Sequence, residues 1–223
     1  TFDSAHRRRH FEYFNAMAVP YFSVTASLLA EPMVELVRSL PSVRLNVALV
    51  YAISDAANRV PELRWRIRGD SVVEHEVVHP SFSVATDEAD VFSFWEVKFR
   101  RPFDAFAVAA EQRMALMRTD PVFEDAPGRD DYLFLSAFPW TSFSAVTQPV
   151  PLNPADSVPR IVWGRTAPAG IDGTGPTALS VSIQAHHAVV DGRHLARFFE
   201  LLQGSLADPE TVIGRAGVIT SVT

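Results

Sequence analysis

Cysteine is missing from all 223 residues, and with it go a disulfide framework, a thiol nucleophile and any Cys-based metal site. That absence fits a reducing compartment, so a cytoplasmic location is expected. No window approaches the roughly 20 continuous apolar residues that span a bilayer, so no membrane partner is expected. No signal-peptide pattern is visible either. The chain opens at Thr1 without a Met, which leaves open whether an N-terminal segment is missing. Positive charge is scarce: 20 Lys and Arg against 26 Asp and Glu leave a formal net charge of -6. Bulk nucleic-acid binding needs a basic footprint and is not expected. Repeats, low-complexity tracts and interdomain linkers are also lacking.

What is present is a core. Hydrophobic residues make up 48% of the chain and 16 residues are Phe, a globular composition large enough for one α/β domain over residues 1–223. Leu45, Ala48, Leu49, Ala52, Ile53, Ala56 and Val60 mark an amphipathic helix that Pro61 ends. Pro32 suits the first turn of another helix, carrying Val34, Val37 and Leu40. Leu63, Trp65 and Ile67 alternate with arginines as a half-exposed strand, and Gly69-Asp70 turns it into a partner over 72–78. A helical stretch follows Pro102 through Met117, Tyr132–Ala137 reads as a strand, and 149–159 as a proline-rich loop. The Gly- and Pro-rich stretch 167–176 reads as a hairpin tip. The expectation is an α+β two-layer sandwich, a mixed sheet with helices mainly on one face.

Chemistry concentrates near residue 187. Leu179, Val181, Ile183 and Ala185 alternate with Ser180, Ser182 and Gln184 as a strand that runs into His186-His187-Ala188-Val189-Val190-Asp191-Gly192. Leu195, Phe198, Phe199 and Leu202 then recur at helical spacing. A histidine at a strand end, facing a Gly-containing turn, is placed like a general base: rigidly held yet open to substrate. A plainer alternative stands beside it, in which His187 is a core histidine and Asp191 caps the next helix.

His75-Glu76-Val77-Val78-His79 matches the H-E-x-x-H pattern of zinc peptidases. That chemistry needs a helix, where i and i+4 side chains sit roughly 5–6 Å apart. The valines, the preceding turn and Pro80 are strand signals, and in a strand the two histidines lie about 13 Å apart, too far to share an ion even with Glu96 as a third ligand. No metal is expected.

Five blocks, in order, are similar to motifs of the chloramphenicol acetyltransferase family. They are Arg7-Arg8-Arg9-His10-Phe11-Glu12, Pro61-Glu62-Leu63-Arg64, Val78-His79-Pro80, Ser136-Ala137-Phe138-Pro139-Trp140, and Ile183 to Gly192 continuing to His194 and Arg197. The resemblance implies an acetyl-CoA-dependent O-acetyltransferase acting on chloramphenicol in a ternary complex, with no acyl-enzyme, and a homotrimer with interfacial active sites. It assigns the general base to His187, with His186 in a packing role and Gln184 supporting the turn. It implies that Ser136 donates to the tetrahedral intermediate and that Asp191 pairs with Arg7, although Arg8 and Arg9 leave that register open. Trp140, Arg165 and Ser93 fall on the coenzyme side, and Tyr13, Phe14 and Phe92 around the antibiotic pocket or, equally, in the core. Acetyl-CoA is the implied co-substrate.

Some positions depart from the family pattern. Val162, Phe134, Pro20, Gln148 and Thr166 stand where well-known members carry threonine, a polar residue, cysteine, leucine and tyrosine. These departures keep open a related acyltransferase acting on another hydroxyl or amine, and a catalytically silent homologue serving as a binding trimer is a further alternative. Condensation domains of peptide synthetases share the H-H-x-x-x-D-G pattern but are about twice this length. Dihydrolipoyl acyltransferase cores usually carry Asp-His-Arg where this chain has His186-His187-Ala188.

Overall fold

Leu28, Phe82, Leu135, Ile161, Val181 and Ile183 sit on one face of five strands, and all are buried in one core. The computed structural model describes residues 2, 4–86, 92–121, 126, 128–152, 155–170 and 173–214. Its elements run α1 (Ala5–Asn15), β1 (Tyr21–Leu29), α2 (Glu31–Ser39), α3 (Leu45–Asn58), a 3-10 turn (Pro61–Arg64), β2 (Trp65–Arg68) and β3 (Ser71–Glu74). They continue with β4 (His79–Ala85), β5 (Phe92–Glu96), α4 (Phe103–Thr119), β6 (Tyr132–Phe138), β7 (Arg160–Gly164), β8 (Ala167–Pro168), β9 (Thr177–His186), α5 (Gly192–Ala207) and α6 (Glu210–Ile213). The main sheet has the order β1-β9-β7-β6-β4-β5, with β8 beside β9. Strand β6 is parallel to β4 and β7, and the other pairs are antiparallel. Helices α3, α4 and α5 pack on this sheet or on one another. The expected two-layer mixed-sheet architecture is the one observed.

The opposite face of the sheet is polar but largely covered. Ser182, Gln184, His186 and Arg160 are all buried there. Residues on either side of 153–154 hold to this face: Gln184 accepts the Gln148 N–H and donates to its carbonyl, while Tyr21 takes the Asp156 N–H on its hydroxyl. Gln184 therefore anchors this covering loop rather than the histidine turn. Among the described residues no helix is long and apolar enough to cross a membrane.

Two expected strands are shorter than their patterns suggest. Pro61 does not merely end α3; it opens the 3-10 turn, so the strand begins at Trp65. Its partner stops at Glu74, because Arg64 binds the carbonyls of His75 and Glu76 and draws the chain out of the ladder. The continuous strand expected over 72–78 is thus not formed. His75 instead meets Asp130 at 2.8 Å, and His79 Nδ1 accepts the Phe99 N–H at 3.1 Å. Each ring has its own protein partner.

The small hairpin is joined to the main sheet by Arg66, which is fully buried. Its guanidinium donates to the carbonyls of Leu63, Trp65, Asp130 and Tyr132. Burial pushes its pKa down to about 10, so it keeps its charge at neutral pH and ties four carbonyls together.

Candidate active site

Strand β9 ends at His186, and the chain then turns through residues 187–191 into α5. Side chains satisfy the backbone polar groups that this turn leaves unpaired. Arg7 donates to the Val189 carbonyl at 2.7 Å, His187 Nδ1 to the Val190 carbonyl at 3.0 Å, and the Ala188 N–H reaches His186 Nδ1 at 3.3 Å. Asp191 and His194 cap α5 reciprocally. The carboxylate takes the N3 backbone N–H, and His194 Nδ1 accepts the Asp191 N–H at 3.0 Å. Glu62, from the 3-10 turn, lies 3.4 Å from His194 Nε2. The capping alternative for Asp191 is therefore realised.

A carbonyl can only accept, so the hydrogen bond to Val190 puts the His187 proton on Nδ1 and leaves the Nε2 lone pair unused. The ring is stacked by Phe14 at 4.0 Å and Phe22 at 4.3 Å between centroids. Two rings so close and so nearly parallel to it cannot share one face, so they clamp the imidazole between them. Tautomer and orientation are both set before any substrate arrives.

Arg7 resolves the register left open among three arginines: it is half-buried, whereas Arg8 and Arg9 are exposed. The direct Arg7–Asp191 pair implied by the resemblance is not formed. The guanidinium instead binds the Val189 carbonyl and His10 Nδ1, at 2.7 and 2.9 Å. The reason is geometric: Asp191 turns toward the α5 N-terminus, where backbone N–H groups compete for it. Burial pushes the Asp191 carboxyl up. The N–H groups of Arg193 and Gly192, with His194 and His10 nearby, outweigh this and hold it below the usual carboxylate range.

The other expected residues form a second group. Ser136 lies on β6 with its Oγ 3.1 Å from Ser83 Oγ on β4. Trp140 (73% exposed) follows β6, its ring edge-on to Phe138, and Arg165 is exposed just after β7. Phe92, 51% exposed, opens β5. Tyr13, 65% exposed, belongs to the first group beside Phe14, so neither Tyr13 nor Phe92 is a core aromatic in this chain. Ser93 is fully buried opposite Val84 and presents no surface to a ligand in the single chain. Of the departures, Val162 pairs with Ser136, Pro20 accepts the His187 N–H, and Phe134 lies under the Arg160 guanidinium.

The two groups lie far apart. Ser136 pairs with Val162 and Val162 with Ser182, so Ser136 sits two strands across from β9 and five residues short of His187. At roughly 3.3 Å per residue and 4.8 Å per strand, the two Cα atoms are about 19 Å apart. No side-chain movement closes that distance.

Residues 1–203 match the chloramphenicol acetyltransferase family. The chain belongs to that family. It is 29% identical over 200 residues to chloramphenicol acetyltransferase 3 of Escherichia coli, covering 88% of this chain and 91% of that one. It is 28% identical over 215 residues to a chloramphenicol acetyltransferase of Streptomyces acrimycini, covering 93% of each. A solved chloramphenicol acetyltransferase superimposes with a TM-score of 0.79 at 20% identity, over 92% of this chain and 96% of that one. The dihydrolipoamide acetyltransferase of Azotobacter vinelandii shares the fold, at a TM-score of 0.69 and 16% identity over 94% and 88% of the two chains.

His10, Phe22 and the Glu62–His194 contact carry no role in the sequence reading. His10 and Glu62 stand inside the matched motifs, and only side-chain geometry shows what they hold. His186 is buried, and burial lowers its pKa from 6.5 to about 4. Because the folded value is depressed, its contribution to stability is fully present above about pH 6.5 and is lost as pH falls through 4. Urea unfolding at a series of pH values should show this loss, on the order of 3 kcal/mol. His186→Phe should flatten that part of the curve.

Proposed function

We propose that this chain is an acetyl-CoA-dependent O-acetyltransferase that acetylates a hydroxyl of chloramphenicol, with His187 as general base. The observation that carries the mechanism is the His187–Val190 hydrogen bond, which leaves Nε2 as the only lone pair offered to an acceptor hydroxyl. Nε2 takes the hydroxyl proton as the oxygen attacks the thioester carbonyl. Ser136, whose hydroxyl lies in hydrogen-bond contact with that of Ser83, donates its own hydroxyl proton to the developing oxyanion. Collapse of the tetrahedral intermediate expels the CoA thiolate, which recovers the proton from His187, so no acyl-enzyme forms.

The separation of His187 and Ser136 within one chain supports a site built between copies, in keeping with the homotrimer that the family resemblance implies. His187, Arg7, Tyr13 and Phe14 come from one copy; Ser136, Phe92, Trp140 and Arg165 come from the next. Trp140 and Arg165 lie toward the coenzyme, as a packing surface for its arm and a cation for a phosphate. Tyr13, Phe14 and Phe92 lie toward the acceptor. The compartment is the cytoplasm, consistent with a cysteine-free chain. Thiol release from acetyl-CoA with and without chloramphenicol tests the assignment. Strong antibiotic-dependent release is expected; slow release indifferent to chloramphenicol would move the acceptor to another hydroxyl or amine.

A further inference from the structure

His10 has no part in the steps above, yet it touches the groups that hold the catalytic turn. Its Nδ1 lies 2.9 Å from Arg7 Nη1, its Nε2 lies 3.9 Å from Asp191 Oδ2, and its ring packs on Phe14 at 4.7 Å. It also meets His187 edge-on, with centroids 5.7 Å apart. Arg7 can only donate, so His10 must offer a bare Nδ1 and carry its proton on Nε2, facing Asp191. The neutral ring thus stands between a cation and a carboxylate that do not reach each other directly.

We propose that His10 is a positioning residue for the catalytic turn and that it works only as the neutral imidazole. Its Nδ1 keeps the Arg7 fork directed at the Val189 carbonyl, one residue from the carbonyl that sets the His187 tautomer. Protonating His10 removes that acceptor and sets a second cation against Arg7. It also opposes the charge that His187 gains in the transition state. The titratable and charged groups facing it are Arg7 and His6 on α1, and His187 and Asp191 in the turn. Burial, then Arg7, lowers its pKa from the ordinary value, while Asp191 opposes the shift. The neutral form is therefore the resting one near pH 7.

This inference rests on His187 being the general base, so its test includes a readout that needs no acceptor. His10→Phe removes the acceptor and should lower kcat about 10- to 100-fold at pH 8, with little change in either KM. His10→Asn places an amide oxygen near the Nδ1 position and cannot titrate. It should keep kcat within about threefold of wild type and lose one proton from the acid limb of the kcat profile. Nitrogen-15 NMR of the imidazoles should show a single Nδ1–H tautomer for His187 in wild type and His10→Asn, and a mixture in His10→Phe. Wild-type kcat and tautomer in His10→Phe, or an unchanged acid limb in His10→Asn, would overturn the proposal. If His10→Phe fails to fold, the acid limb of His10→Asn still decides. An ordered His187 tautomer without chloramphenicol-dependent turnover would instead overturn only the choice of acceptor.

Discussion

With His187 replaced by alanine, kcat for chloramphenicol acetylation should fall about 10³- to 10⁴-fold, while the KM values for both substrates change little. The size follows from what the ring supplies. Its Nε2 carries the free lone pair of the ring, which is held by Phe14 and Phe22 stacking and by the Val190 carbonyl. The neighbour His186 cannot substitute, because it is buried with its Nδ1 occupied by the Ala188 N–H. Alanine also leaves the Val190 carbonyl without its donor, so His187→Gln serves as a control. Both variants should lose activity alike if proton transfer is the cause. Steady-state thiol release measures this, and retention of a tenth or more of wild-type kcat in both would remove His187 from the role of base.

Ser136→Ala should lower kcat by about 10²- to 10³-fold, the usual effect of losing one oxyanion donor. Ser83 keeps its place and its hydroxyl, so the loss reflects the missing proton at the oxyanion rather than collapse of β4 against β6. The two variants also test where the site lies. Ser136 and His187 lie some 19 Å apart in one chain, by strand spacing, so under the proposed mechanism each site takes one residue from each of two copies. Refolding equal amounts of Ser136→Ala and His187→Ala together should therefore restore about a quarter of wild-type activity, the fraction of interfaces that join two intact halves. A mixture no more active than its components would place both residues in one chain's site and contradict the strand register.

Asp191 shows how local and tertiary readings divide. Its position before Leu195, Phe198 and Leu202 marks it as an N-cap, and the capping geometry is present. Its partner was a different matter. The family resemblance implies an Arg7–Asp191 pair, yet Arg7 binds a carbonyl and His10, because the backbone at the start of α5 engages the carboxylate first. The same holds for His75 and His79, whose continuous strand was broken by Arg64 taking two carbonyls from it. Side chains that bind backbone at long range leave no periodic mark, so alternation alone overextended β3.

From the chain of letters alone came the two-layer architecture, the strand–turn–helix unit around His187 and the order of the motifs. These depend on spacing between near neighbours, on alternation in β9 and on the helical recurrence in α5. The tertiary structure alone decided which nitrogen of His187 is free, which arginine holds the turn, and that Ser136 lies out of reach of His187. Those outcomes depend on strand order and on contacts between residues as distant as 7 and 189. Local propensity has no term for groups that meet only when the sheet is assembled.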